Sequence, residues 1–180
     1  CGNSSSTQAT FTIVDTTAPV LDVAAQDMIV ECDGLGNTTA LTNWLLTNGG
    51  AVASDLCSAI TWSNDFTGLS DACGSTGSAT VTFTATDECG NSSSTTATFT
   101  IVDTTAPVLD TPAQDLVVEC DGQGNQADYQ QWLLSNGGAV ATDLCGDVVW
   151  SYAIEDTNTL CGQTGYTTVN FTATDECGNS

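Results

Sequence analysis

The chain of 180 residues contains no lysine, no arginine and no histidine, against 22 aspartates and glutamates. This absence excludes much. Without basic side chains nothing can neutralise a phosphate backbone, so nucleic-acid binding is ruled out. Attraction to an anionic membrane surface is disfavoured for the same reason. No histidine or lysine base exists and no Schiff base can form. The carboxylates have no side-chain cation to pair with, which leaves water, backbone N–H groups or dissolved cations. A chain of one sign repels itself unless counter-ions screen it. Long apolar runs are also missing, so no segment reads as a membrane span or a secretion signal.

What is present is repetition. Cys1-Gly2-Asn3-Ser4 recurs at Cys89–Ser92 and again at Cys177–Ser180, each time 88 residues on. DTTAPVLD at Asp15–Asp22 recurs at Asp103–Asp110, and WLLTNGGAVASDLC recurs as WLLSNGGAVATDLC. Roughly six positions in ten are identical between the two copies. The period divides the chain into residues 1–14, the last strand of a preceding repeat; residues 15–102, a complete repeat; and residues 103–180, a further repeat without its last strand. The chain therefore reads as a window on a longer array.

There are nine cysteines. Cys32, Cys57, Cys73 and Cys89 belong to the first copy and Cys120, Cys145, Cys161 and Cys177 to the second, with Cys1 left over. Four in a small Thr/Ser/Gly-rich repeat point to two disulfides and an oxidising compartment. Zinc is the competitor, but the chain has neither a Cys-x-x-Cys spacing nor a histidine. By the period, the partner of Cys1 lies one repeat before Cys57.

Local patterning is clearest near the end of each repeat. Ala79, Val81, Phe83 and Ala85 alternate with threonines, and after the Asp-Glu-Cys-Gly-Asn turn Ala97, Phe99 and Ile101 do the same. Period-2 alternation on both sides of a Gly/Asn turn predicts a β-hairpin with one buried face and one threonine face. QDMIVEC and AITWSND, with the latter's counterpart DVVWSYAI, read as further strands. Leu41, Trp44 and Leu45 fall at helical spacing before Asn-Gly-Gly, as do Tyr129, Trp132 and Leu133. That pattern predicts a helix of two to three turns with a glycine stop, its tryptophan plugging the core. Short strands with glycine-rich connections suggest a β-sandwich.

The run TVTFTATDECGNSSSTTATFTIVDTTAP resembles hyalin-type repeats, the immunoglobulin-like modules of extracellular proteins, and is closest to the tandem versions in long surface adhesins of Bacteroidetes-type bacteria. The resemblance covers the final hairpin and the linker. It implies a mostly β fold of tandem immunoglobulin-like sandwiches, each with a short inserted helix between its first and second strands, at the cell surface and engaged in adhesion.

That topology in turn implies a pairing of cysteines. Cys32 and Cys73 fall at the far end of a repeat, Cys57 and Cys89 at its N-terminal end. The implied bonds are Cys32–Cys73 and Cys57–Cys89, then Cys120–Cys161 and Cys145–Cys177, with Cys89–Cys120 as the rival. It also gathers acidic residues at the junction between repeats: Asp103, Asp110, Asp143, Asp175 and Glu176, and one period earlier Asp15, Asp22, Asp55, Asp87 and Glu88. Carboxylates clustered without a basic partner are costly unless a cation joins them. An all-oxygen set favours calcium. Turn capping by aspartate is the simpler reading of the same residues.

Asn-x-Ser/Thr occurs at Asn3, Asn37, Asn91 and Asn170, and Asp-Thr-Thr, which looks like an O-glycosylation sequon of Bacteroidetes, offers Thr16 and Thr104. Paired carboxylates can hydrolyse glycosides, but acids recurring in every small repeat do not describe a single active site, and no enzymatic role is expected. The sequence thus points to an extracellular fibre of calcium-stiffened, disulfide-stapled repeats whose partners are neighbouring repeats and glycans. The alternative is a module that binds glycan or a surface through its helix or a threonine face.

Overall fold

The computed structural model describes all residues from Cys1 to Ser180. The protein is mostly β, with ten strands, two α-helices and several sheets. Strands β1 (Val20–Val23) and β3 (Val52–Ser54) pair antiparallel, as do β7 (Val108–Thr111) and β8 (Val140–Thr142), with the same register and the same irregularity one period apart. A four-stranded sheet runs in the order β2 (Met28–Glu31), β6 (Ser92–Val102), β5 (Gly77–Asp87), β4 (Ile60–Asn64). Its β2–β6 pairing is parallel, Met28 opposite Phe99 and Val30 opposite Ile101. In the second copy of the repeat only β9 (Val148–Thr159) and β10 (Gly165–Asp175) pair, as a two-stranded ribbon.

The chain divides into two compact units that do not follow the 88-residue period. One comprises Cys1–Asp27, Asn43–Thr67 and Thr80–Thr98. The other comprises Met28–Thr42, Gly68–Ala79 and Phe99–Ser180.

The hairpin forms as the alternation predicts. Val81, Phe83 and Ala85 on β5 are fully buried, and Ala97, Phe99 and Ile101 on β6 nearly so, while the threonines between them face outward. The helices form too: α1 spans Thr38–Leu46 and α2 spans Gln126–Leu134. The glycine stop operates through backbone that only small residues tolerate. Asn48, Gly49 and Gly50 have φ of 55°, 64° and 79°, the left-handed region that ends a helix. A Cβ at Gly49 would also press on Ala25 and Phe83 at 3.1 Å. Trp44 plugs this core as expected. Its ring meets Phe83 edge-on at 5.2 Å, and its Nε1 donates to Gln26 O at 3.0 Å. Trp132 repeats both contacts with Phe171 and Gln114 O.

Three details differ from the sequence reading. The short strand β1 was not foreseen, so the helix follows the second strand rather than the first. β9 runs on to Thr159, where β4 stops at Asn64, because Ile154–Thr159 pairs with the start of β10. Leu116–Glu119, the counterpart of β2, is not a strand, although its sequence is as apolar. In the first copy β2 is held by β6, and nothing pairs with residues 116–119 here.

Candidate functional site

Two acidic clusters occupy equivalent positions one period apart. In the first, carboxylate oxygens of Asp15, Asp55 and Asp87 lie within 4.8 Å of one another. In the second, Asp103 and Asp143 are that close, together with the sulfur of Cys145. That sulfur is in a disulfide and offers no thiolate. Of the ten acids expected at the junctions, these five meet. Asp175 is near enough for its charge to act on Asp103 but lies outside the tight group. Asp22 is elsewhere, accepting from Ser54 Oγ at 3.2 Å, and Asp110, Glu88 and Glu176 do not join.

The turns hold these carboxylates in place. Asp87 ends β5, where Oδ1 accepts the N–H of Asn91 at 2.8 Å and Oδ2 its side-chain amide at 2.7 Å. Burial pushes the Asp87 carboxyl up, but the hydrogen bonds from Asn91 and from the N–H groups of Gly90 and Cys89 outweigh it and hold it below the ordinary range. Asp175 repeats this with Asn179, Gly178 and Cys177. Asp55 Oδ1 accepts from Cys57 N at 2.8 Å and Ser58 N at 3.0 Å. Turn capping, the simpler reading, therefore accounts for most oxygens in the cluster.

It does not account for two. Oδ1 of Asp15 and of Asp103 each cap the N–H two residues on, at 3.1 and 3.2 Å. Their Oδ2 atoms are buried and have no hydrogen-bond partner. The same atom is orphaned in both copies. Burial raises the Asp103 carboxyl above the ordinary range against the N–H of Thr105, and the charges of Asp143, Asp175 and Glu31 add to the rise. A buried carboxylate oxygen facing other carboxylates, with no donor, fits a cation.

One neighbour escaped the sequence reading. Glu31 accepts the Thr104 N–H at 2.7 Å and the hydroxyls of Thr104 and Thr105 at 3.0 Å each. These bonds hold its carboxyl below the ordinary range, the Thr104 N–H most of all. The signal available was an acid directly before Cys32 and a Thr-Thr pair directly after Asp103. Neither suggests the other without the fold.

The cysteines correct the expected pairing. The bonds are Cys32–Cys145 and Cys73–Cys177, with Cα atoms 6.1 and 5.1 Å apart. They run from the first copy of the repeat to the second rather than closing each copy on itself, so neither Cys32–Cys73 nor Cys145–Cys177 forms. Cys57, Cys89, Cys120 and Cys161 are free, and with them the other two expected bonds are absent. Cys32 and Cys73 of the first copy lie instead against Cys145 and Cys177 of the second. Ser75 N donates to Cys145 O at 2.6 Å there, and Gly74 packs so tightly on that carbonyl that no Cβ would fit.

The glycosylation candidates fall into two groups. Thr16, Asn3 and Asn170 are exposed. Thr104 is exposed, but its hydroxyl is bonded to Glu31. Asn37 is buried with its amide donating to Glu31 O, and the Asn91 amide donates to Asp87 and to Asp15 O. Sugars on the last two would break bonds that shape the turns.

Fold and site together define an acidic, mostly β, disulfide-linked protein with paired carboxylate clusters. No protein-family model and no curated protein matches the chain. No helix is long and apolar enough to cross a membrane.

Proposed function

We propose that the protein is a structural segment of an extracellular fibre: tandem immunoglobulin-like sandwiches of the hyalin type, joined by disulfides and stiffened by calcium. The observation that carries the reading is the pair of orphaned oxygens, Asp15 Oδ2 and Asp103 Oδ2, buried beside other carboxylates in a chain without one basic side chain. Asp15, Asp55 and Asp87 would hold one ion; Asp103 and Asp143 would hold the other. A bound divalent ion supplies the positive charge that these acids lack, and calcium tolerates an irregular set of oxygen ligands.

Mechanics follow from where the staples lie. A disulfide inside one module resists only that module's unfolding. Cys32–Cys145 and Cys73–Cys177 instead tie successive repeats together, so the backbone that they enclose is shielded from tension along the chain. Disulfides of this kind persist in oxidising surroundings, which supports a place outside the cytoplasm. Recurrence of each acid in both copies supports a structural role over a catalytic one. The exposed Thr16 sits beside the first cluster, where a glycan would shield it.

A calcium titration tests the reading. Calcium in excess should raise the thermal unfolding midpoint over that in chelator, by about 2.7 kcal/mol of stability at a hundredfold excess over Kd. Asp15→Asn should remove the part of the rise that the first ion supplies, and Asp15→Asn with Asp103→Asn most of the whole. An unchanged midpoint in millimolar calcium would sink the ion.

A further inference from the structure

Residues 31–34 reach both sides of the second carboxylate cluster, and all the groups concerned belong to one compact unit. On one side is Asp103, which follows β6 directly. Cys32 N donates to Val102 O at 2.7 Å, one residue before it. Glu31 accepts from Thr104 and Thr105, the two residues after it. On the other side is the loop of Asp143. Cys32 is bonded to Cys145, two residues beyond Asp143. Gly34 lies so close to Leu144 O, between those two, that a Cβ there would fall 2.6 Å from it.

Hydrogen bonds carry this grip on to the carboxylates. Cys145 N donates to Asp143 Oδ1 at 2.8 Å, and Thr105 N donates to Asp103 Oδ1 at 3.2 Å. The disulfide fixes the first donor residue and Glu31 fixes the second. Asp103 Oδ2 is left as the buried oxygen without a partner.

The two acids do not hold each other. Their carboxylates lie within 4.8 Å, carry like charge and repel, and the chain has no basic side chain to set between them. Residues 31–34 oppose that repulsion from a buried anchor: Cys32 and Cys145 are only 6% and 4% exposed. An ion that meets ligands already held together has less to order and binds more tightly.

We infer that Glu31 and the Cys32–Cys145 disulfide are positioning groups for the ion at Asp103 and Asp143, so that calcium affinity there depends on the redox state of that one bond. The inference rests on the calcium reading of this cluster. Its consequence is reciprocal: if the closed disulfide tightens calcium, calcium makes the disulfide harder to reduce by the same factor. On reduction the Cys32–Cys145 bond takes up two electrons and two protons and becomes two thiols. A dithiol such as dithiothreitol gives them up and closes to its cyclic disulfide. Cys73–Cys177 supplies the comparison. It also joins the two copies, at a sequence separation of 104 against 113, so it constrains the unfolded chain to a similar extent. Its own N–H donor, Cys177 N, goes to Asp175 and to neither ligand.

The test uses the 180-residue chain carrying Asp15→Asn, which silences the first cluster, titrated with calcium in a calorimeter. Adding Cys32→Ala/Cys145→Ala should weaken binding about tenfold. Glu31→Gln should weaken it less, since the amide keeps one acceptor oxygen. Cys73→Ala/Cys177→Ala should bind as the Asp15→Asn chain does, although it loses comparable stability. A second measurement needs no cysteine variant to fold. The Asp15→Asn chain is equilibrated in dithiothreitol buffers with calcium or with chelator, and each cysteine is scored by alkylation and mass spectrometry. Saturating calcium should lower the potential of Cys32–Cys145 by about 30 mV, the equivalent of tenfold for two electrons, and leave Cys73–Cys177 unmoved. Equal loss of affinity in the two cysteine variants overturns the inference while the ion reading stands. So does full affinity without Cys32–Cys145 or in Glu31→Gln, or a Cys32–Cys145 potential that ignores calcium. No calcium uptake by the oxidised Asp15→Asn chain overturns both.

Discussion

Phe83 and Phe171 occupy the same place in two copies of one repeat, each edge-on to a tryptophan at 5.2 or 5.3 Å. Phe83 is fully buried, as are Val81 and Ala85 around it; Phe171, Val169 and Ala173 are only half-buried. The local sequences are nearly the same: ATVTFTATD against TTVNFTATD. What differs is the next strand. In the first copy β6 lies beside β5, and in the second no strand lies on that edge of β10. An alternating apolar face specifies a strand but buries nothing until a neighbour covers it.

The comparison can be pressed hardest at the phenylalanines. Phe83→Ala should cost about 3–5 kcal/mol in urea unfolding, the range for a buried aromatic replaced by a cavity. Phe171→Ala should cost roughly half that, since part of its ring already meets water. Equal costs would show that the two environments do not differ.

Next come the cysteines. Replacing Cys73 and Cys177 together by serine should lower stability by about 2–4 kcal/mol, because their bond closes a large loop of the unfolded chain. Replacing the free, exposed Cys57 and Cys120 by serine should change stability by no more than about 0.5 kcal/mol. Denaturant midpoints measured with and without reductant separate the two pairs.

A smaller effect is expected at the carboxylates, read in chelator as stability against pH. Asp103 has a raised carboxyl, so its ionisation opposes folding at neutral pH, and acidification through the raised value relieves that opposition. Asp87 and Asp175 are depressed, so they support folding above the ordinary carboxylate range and cease to do so as pH falls through their lowered values. Asp103→Asn should therefore raise the thermal midpoint at pH 7 and lose this advantage below about pH 4. Asp87→Asn should lower the midpoint at pH 7. An Asp103→Asn variant less stable than the parent in chelator would reverse the sign argued here.

The smallest contrast lies at the glycine stops. Gly49→Ala and Gly137→Ala both force a side chain into φ of +64°, at about 1–2 kcal/mol. Gly49→Ala should cost a few tenths more, because Phe83 is fully enclosed and the half-buried Phe171 has room to yield.

Much of this was legible beforehand. The period, the hairpin, both helices with their glycine stops and the tryptophan plugs all follow from local spacing, because helix and strand periodicities and left-handed glycines are short-range constraints. The candidate site was half legible. Asp15, Asp55 and Asp87 come together, while Asp22 and Glu88 do not: Asp22 sits within β1, where it accepts from Ser54, and Glu88 lies in the turn beyond the end of β5. Glu31 was missed because its partners lie 73 and 74 residues away.

The sequence by itself determined the chemistry available: acids without bases, cysteines at a fixed interval, and one strand sequence that occurs twice. Only the tertiary structure decided which of these meet. Cys32 bonds to Cys145 and not to Cys73, since the far end of one repeat rests on the near end of the next. The same letters are buried at 92–102 and bare at 4–14, because a β-strand draws its hydrogen bonds and its burial from neighbours that its own sequence does not contain.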